Sequence, residues 1–391
     1  MISLNEAFRI VESAKVFPEH ETISFLNANN RVLAENIFSD LDFPSFDRSA
    51  MDGFACKESD IHQTLEIVET IPAGKVPENI ITNGKCAKIM TGAMIPEGAD
   101  CVLMVEFTEM TDHNHVHYLK DKTKKNIRYR AEDLKKGDVV LTKGTILKPA
   151  HIAVLASVGA VNINVFKKIN VGIISTGDEI VEPENKPELS QIRNSNAYQL
   201  MAQVEQCGAN AIYIGKAADN ESSTYEFIRK AIAASDIILL TGGVSMGEFD
   251  HVPGILKKAG FDILFQKIAV QPGKPTTFGI KDNKFVFGLP GNPVSSFIQF
   301  ELLVRHLIFR MMGHNYQPVI LQIPIADDYR RKKAERMSWF PVTINEKGLA
   351  VPSEYHGSAH IFALTEANGL TYIDEGKELI QKGDLVNVRL I

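Results

Sequence analysis

The sequence predicts a multidomain protein of mixed α/β and β class, in which a parallel-type α/β domain is accompanied by smaller β domains. Three observations carry this. From about residue 166 to 313 short apolar runs alternate with helical stretches, the signature of a parallel sheet with right-handed crossovers. Between Phe46 and Asp138 the apolar runs are short, alternating and punctuated by glycine and proline, which points to a small β domain. After Pro318 short strand-like runs return, with Trp339, Tyr355 and Tyr372 among them, as a second small β domain.

The elements follow in order. Leu4 to Phe17 is amphipathic, with Ser3 as N-cap and Glu6 three residues later to close a capping box. Glu21 to Phe25 reads as a short strand, and Asp42-Phe43-Pro44 marks a boundary because proline restrains the residue before it. Leu65 to Val68, Cys86 to Met90, Cys101 to Glu106 and Val116 to Leu119 are the strands of the first β region. Lys136-Gly137-Asp138 and Lys382-Gly383-Asp384 are turns that feed Val139 to Leu141 and Leu385 to Leu390. Pro149 opens a helix that runs to Ser157. In the α/β region the strands are Val171 to Ile174, Ala211 to Ile214, Ile237 to Leu240 and Phe285 to Phe287. The intervening helices are Ser195 to Cys207, Ser222 to Ala234, Val252 to Lys258 and Val294 to Met312, the last long and mostly buried.

With 391 residues, 45% of them hydrophobic, the chain has material for two to four ordinary cores. A formal net charge of -6 gives no general attraction to nucleic acid or to an anionic membrane. No run approaches the roughly 20 apolar residues of a membrane span. Met1 to Glu12 carries Glu6, Arg9 and Glu12 in place of the basic start and apolar core of a secretory leader. The four cysteines, Cys56, Cys86, Cys101 and Cys207, are scattered without a Cys-x-x-Cys pair. A reducing cytoplasm is the expected location.

Candidate chemistry gathers in turns that follow the α/β strands: Ser175-Thr176-Gly177-Asp178-Glu179, Thr241-Gly242-Gly243-Val244-Ser245-Met246-Gly247 and Gly288-Leu289-Pro290-Gly291-Asn292-Pro293. Ligands of open α/β sheets bind beyond the carboxyl ends of the strands, so these loops can share one crevice. The glycines of Gly242 to Gly247 permit a backbone nest for phosphate, with Ser245 as a hydroxyl donor; the alternative is a plain tight turn. Asp178, Glu179, Asp219 and Asp250 fall on the same rim, where carboxylates near a phosphorylated ligand call for a hard cation such as Mg²⁺; singly, each is an N-cap or a solvated loop charge. Gln271-Pro272-Gly273-Lys274-Pro275 presents Lys274 on a stiff turn, seven residues after Lys267, as a point charge for an oxyanion. Pro290 to Pro293 rigidify the mouth of the long helix, whose N-terminus favours an anion.

Elsewhere local readings are plainer. Ser49-Ala50-Met51-Asp52-Gly53 is a small-residue turn around an acid, and Arg128 and Arg130 precede Ala131-Glu132-Asp133 as a charge run. His113, His115 and His117 would face one way on a strand, yet their polar flanks read as a solvated hairpin. Arg330 to Arg336 reads as an exposed basic linker.

Taken together, Ser49 to Gly53, Met90-Thr91-Gly92-Ala93 with Pro96-Glu97-Gly98-Ala99-Asp100, Ser175 to Glu179, Gly242 to Gly247, Pro272 to Pro275 and Gly288 to Ser295 occur in the order found in one family. The chain resembles the MoeA family of molybdopterin molybdenumtransferases, related to the C-terminal part of gephyrin, over essentially its whole length. The resemblance implies a homodimer of four-domain subunits: a segmented N-terminal domain at 1–41 and 139–165, an inserted β domain at 42–138, a molybdopterin-binding α/β domain at 166–316 and a C-terminal β domain at 317–391.

It further implies transfer of molybdenum from molybdate to the dithiolene of adenylylated molybdopterin, with Mg²⁺-dependent release of AMP. On that reading Asp52, Thr91, Glu179, Asp250, Lys267 and Lys274 are catalytic, and Asp178, Glu179, Asp219 and Asp250 hold the metal. Thr176, Gly177, Gly242, Gly243, Ser245, Gly247, Pro290, Gly291, Asn292, Pro293, Ser358 and Arg130 bind the pterin substrate. The cleft lies between subunits, bringing Asp52 and Thr91 to the partner's α/β domain. A molybdopterin adenylyltransferase upstream and cofactor-accepting molybdoenzymes downstream are the implied partners. Two positions depart from the family pattern: Gln271 stands where some members carry a basic residue, and Ala131 replaces the glycine of Arg-x-x-Gly-x-Asp. The same α/β domain also serves adenylyl transfer or nucleotide pyrophosphate hydrolysis, and a cofactor-binding scaffold is the non-catalytic alternative.

Overall fold

The computed structural model describes residues 1–243 and 252–391. At the centre of the α/β region lies a six-stranded sheet in the order 210–217, 170–176, 237–241, 284–289, 277–281, 262–265. The first four strands are parallel. The last two, Thr277–Lys281 and Asp262–Phe265, are antiparallel additions that the sequence reading lacked, so the sheet is mixed. Their alternation is weak because Gly279, Asp262 and Lys281 interrupt the apolar pattern.

Both faces of the sheet are covered, which is why its parallel strands read as continuous apolar runs. Leu239 points into a core shared with Leu200 and Val204 of helix Ser195–Gln206 and with Leu303 and Leu307 of the helical run 293–311. Its neighbours Ile238 and Leu240 point the other way, onto Ile228 and Ala231 of helix Glu221–Ala234 and Ile255 and Leu256 of helix Val252–Lys258. This is the twofold alternation of a strand applied to two separate cores.

The long helix expected over 294–312 is there as one unbroken helical run, with a π-type turn at Phe300–Val304 between α-helical Pro293–Gln299 and α-helical Arg305–Met311. Inside this turn Glu301 takes two bonds from Arg305, at 2.7 and 2.8 Å, and one from Gln203 at 2.8 Å, while its carbonyl accepts from Arg389. π-type turns mark places where the regular backbone ladder yields to other partners.

The N-terminal helix spans Leu4–Ser13, with Ser3 Oγ accepting from the Glu6 amide at 3.1 Å. It ends before Phe17, where the Arg310 guanidinium takes the carbonyls of Val11 and Ala14, both at 2.9 Å. Residues on either side of the first β region pair directly: His20–Ser24 with Asn162–Phe166, and Ile37–Phe38 with Val139–Leu141. Between them stands a six-stranded sheet in the order 101–104, 53–56, 85–89, 64–71, 115–118, 108–110.

The C-terminal sheet runs 337–344, 369–373, 385–390, 320–324, and its outer edge is completed by Val270–Gln271 from the α/β region, paired in parallel with Met337–Ser338. The basic run Arg330 to Arg336 is not a bare linker. Arg331 donates to the carbonyls of Lys377, Arg336 and Asp374, and Tyr329–Arg330 pairs with Leu379–Ile380. The histidine triplet is a hairpin feature: His115 Nδ1 lies 2.9 Å from Asp112, and only residues 115–118 form the strand. Among the described residues no helix is long and apolar enough to cross a membrane.

Candidate active site at the strand ends

Strand 170–176 lies between 210–217 and 237–241. The chain leaves it to one side and then crosses to the other, which makes its carboxyl end the topological switch point of the sheet, where such folds take ligands. Thr176 and Thr241 end the two strands that flank this point. Thr176 Oγ1 donates to the Thr241 carbonyl at 3.4 Å. Gly242 follows with φ +95°, and a Cβ there would sit 2.5 Å from the Thr176 carbonyl oxygen. Both the conformation and the close approach require glycine at this position. On its other side Gly242 Cα lies 3.5 Å from where a Gly291 Cβ would stand. The three loops chosen from the sequence therefore meet, through Thr176, Gly242 and Gly291.

Asn196 locks this meeting. Its side-chain amide donates to Thr241 Oγ1 at 2.7 Å and to the Gly291 carbonyl at 2.8 Å. Asn194, two residues earlier, caps the same helix by accepting from the Ala197 amide, and it takes the Ser175 hydroxyl at 3.0 Å. Sequence reading named neither asparagine. The Asn-Ser-Asn run ahead of an amphipathic segment is the N-cap signal that would have found the first of them.

Asp178 Oδ1 accepts from the Asp219 amide at 3.0 Å, bringing those two carboxyl-bearing residues together. Thr176, Asp219 and Gly243 line one small cavity with Asn220 and Thr224. Glu179 folds back over Gly177, its carboxylate 2.5 Å from where a Gly177 Cβ would be. Accordingly, among the described residues no group of three His, Cys, Asp or Glu side chains converges as a ready-made metal centre. Asp178 and Asp219, neighbours through the hydrogen bond from the Asp219 amide, are of the donor type that fits Mg²⁺, which is commonly bound through one or two carboxylates with substrate phosphates and water supplying the rest. Asp250, Ser245 and Gly247 lie outside the described residues.

The loop bearing Asp178 and Glu179 is braced by Glu182. Burial alone would raise its pKa, but hydroxyl bonds from Tyr213 at 2.6 Å and Tyr198 at 2.9 Å, with help from Asn194, hold it below the usual carboxylate range. Burial and the same carboxylate push the Tyr213 hydroxyl well up.

On the opposite rim, Ile268 N donates to the Lys274 carbonyl at 3.0 Å, which ties the Lys267 and Lys274 segments together. Neither ammonium has a partner among the described residues. Ser358 joins the Pro290 to Pro293 loop: Asn292 donates to its hydroxyl at 2.7 Å, and its carbonyl accepts from Val294 N at 3.1 Å.

Asp52 and Thr91 also meet, far from that rim in sequence. The Thr91 amide and hydroxyl donate to Asp52 Oδ1 at 2.6 and 2.9 Å. The amide first, then the hydroxyl, lowers the Asp52 pKa from its ordinary value. All hydrogen bonds of these two residues stay within the inserted β region among the described residues. Arg130 is occupied structurally: its Nε donates to Asp42 at 2.6 Å and its amide to Asp47 at 2.7 Å. Ala131 beside it adopts φ +58°, a left-handed conformation.

Comparison with known proteins agrees with this architecture. Residues 2–159 match the MoeA N-terminal region (domain I and II), 172–310 a probable molybdopterin binding domain, and 323–391 the MoeA C-terminal region (domain IV). The molybdopterin molybdenumtransferase of Bacillus subtilis (strain 168) is 34% identical, covering 100% of this chain and 94% of the relative. That of Haemophilus influenzae is 34% identical, covering 99% and 98%. A crystal structure of the molybdopterin biosynthesis moeA protein from Pyrococcus horikoshii OT3 superposes with TM-score 0.86 at 32% identity, covering 100% of both chains. Fold and site thus define an enzyme of molybdenum cofactor biosynthesis built around a molybdopterin-binding α/β domain. The chain belongs to the MoeA family of molybdopterin molybdenumtransferases.

Proposed function

We propose that the protein inserts molybdenum from molybdate into the dithiolene of adenylylated molybdopterin and releases AMP in a Mg²⁺-dependent step. The observation that carries this reading is the convergence of Thr176, Gly242 and Gly291 at the switch point, with carboxylates on one rim and, on the other, two lysines whose ammonium groups have no partner among the described residues.

Gly242 and Gly243 are both at positive φ, and with the Gly242 amide donating to the Leu289 carbonyl at 3.3 Å, phosphate would fall to the Gly243 end of the turn. Asp178 and Asp219, with Glu179 and Asp250, would hold Mg²⁺ against the pyrophosphate link. Bound there, the ion would neutralise charge on the phosphate oxygens as the anhydride opens. Lys267 and Lys274 would receive molybdate, a dianion, as fixed point charges. Ser358 and the Pro290 to Pro293 loop would orient the pterin end.

Asp52 is acceptor-only when ionised, and Thr91 fixes Oδ1, while Oδ2 has no partner among the described residues and would face substrate. A homodimer supplies that encounter if the inserted β region of one protomer reaches the α/β domain of the other. The adenylyltransferase that makes the substrate and the apoenzymes that accept the product would be transient partners in the cytoplasm.

The test is to mix the protein with adenylylated molybdopterin and Mg²⁺, follow AMP with and without molybdate, and ask whether the product activates a cofactor-free molybdoenzyme. Molybdate-dependent AMP release with activation supports insertion. AMP release without activation would replace it with pyrophosphate hydrolysis, and binding without either would leave a carrier.

A further inference from the structure

The turn that carries Lys274 is held by its carbonyls. The Lys274 carbonyl accepts from Ile268 N and Thr276 N, both at 3.0 Å. The Gly273 carbonyl accepts from the Thr276 hydroxyl at 2.7 Å. The Pro272 carbonyl accepts from the side-chain amide of Gln299 at 3.0 Å. The first two anchors are local to the loop, and the third comes from another element.

Gln299 ends helix Pro293–Gln299, the helix opened by the Pro290 to Pro293 loop, and it is fully buried. Its Nε2 also occupies the space over Gly273: a Cβ on that glycine would lie 2.2 Å away, and Gly273 has φ +119°. Among the described residues its Oε1 has no hydrogen-bond partner, and neither does the hydroxyl of Ser296 one turn earlier on the same helix. A buried polar atom left unpaired costs free energy, so an apolar side chain of similar volume would serve packing alone better. What the amide does achieve is a direct link between the Lys274 turn and the last residue of the helix that the Pro290 to Pro293 loop opens.

We infer that Gln299 is a positioning residue: it sets where Lys274 stands relative to the Pro290 to Pro293 loop, and so governs capture of the oxyanion substrate. The inference rests on the reading of Lys274 as an oxyanion ligand. Gln299 touches no substrate; it acts through the backbone of Pro272 and Gly273.

The experiment compares Gln299→Leu, Gly273→Ala, Lys274→Ala and the double variant Gln299→Leu/Lys274→Ala in the full-length protein. The readout is KM for molybdate in the AMP-release assay, alongside the thermal midpoint of each variant. Gln299→Leu is expected to raise KM about tenfold, the scale of one lost hydrogen bond in a buried site. Gly273→Ala, which displaces the same amide without removing it, is expected to do the same. The double variant should be no worse than Lys274→Ala alone, because residues acting through one another are not additive. A raised KM in Lys274→Ala with an unchanged KM in both Gln299→Leu and Gly273→Ala would overturn the positioning role. Additive losses in the double variant would also overturn it. If Lys274→Ala leaves KM unchanged, the oxyanion reading of Lys274 fails and the inference goes with it.

Discussion

The side chain of Asn196 donates to the main-chain carbonyl of Gly291 at 2.8 Å while holding the hydroxyl that ends strand 237–241 at 2.7 Å. One buried amide thus fixes two of the three loops at the strand ends. Replacing it by alanine leaves a buried carbonyl and a hydroxyl without their donor, at a cost of about 1–3 kcal/mol. Asn196→Ala should lower the urea midpoint accordingly and weaken phosphate-bearing ligands more than its stability loss explains. Unchanged affinity for AMP would show that the loops hold their places without it.

Asp52→Asn should depress turnover by about a hundredfold, the scale set by removing one preorganised polar group from a reaction centre. The thermal midpoint should barely move, since the Thr91 amide and hydroxyl still find an amide oxygen to donate to. Full turnover in this variant would remove Asp52 from the catalytic set.

The pH dependence of the same residue has a definite sign. Its folded-state pKa lies below the ordinary 3.8, the Thr91 amide contributing most. The stability it contributes is therefore fully present above the unfolded value and is lost only as pH falls through the lowered folded value. NMR titration of the Asp52 carboxyl should give a midpoint under 3.8, rising only part of the way back in Thr91→Ala, which removes the hydroxyl bond and keeps the larger main-chain one. An unshifted midpoint in the parent protein would contradict the geometry.

Ala131 holds φ +58° and donates its amide to the Pro44 carbonyl at 2.9 Å. A left-handed conformation costs a non-glycine residue roughly 1–2 kcal/mol, partly offset by the extra freedom of glycine in the unfolded chain. Ala131→Gly should therefore stabilise by about 0.5–1 kcal/mol, read as a higher urea midpoint at constant m. A lower midpoint would mean that the turn does not hold this conformation in solution. The departure from the family's glycine thus leaves the turn itself in place.

Glu301 and Arg305 form a buried ion pair at 2.7 Å, with Gln203 and Gln206 completing it. Removing one partner strands the other's charge, so Glu301→Gln should cost about 3–5 kcal/mol by denaturant unfolding. Converting both to well-packed apolar residues should recover most of that loss. A small effect from the single change would argue that water reaches the pair.

Much of the architecture was legible because period and punctuation are local properties. The four parallel strands are found from their apolar runs, each one to four residues longer in the structure than the run itself, and the helix expected over 252–258 is there with its last residue at Lys258. Thr277–Lys281 and Asp262–Phe265 escaped because antiparallel pairing at the sheet edge lets polar residues break the pattern. The π-type turn at Phe300–Val304 escaped for another reason: its partners Gln203 and Arg389 lie about a hundred residues away in either direction along the chain.

The same division runs through the site. Local sequence is enough to say which glycines, carboxylates and lysines stand just beyond strand ends, because those turns demand particular residues where the backbone reverses. It also determined the family, through motifs in a fixed order. It took the tertiary fold to bring Thr176 and Gly291 against Gly242, to fold Glu179 over Gly177, and to let Asn196 and Gln299 anchor their loops. Strand order and side-chain partnership are set by contacts between residues distant in the chain, and no local periodicity encodes which of several equivalent strand ends will become neighbours.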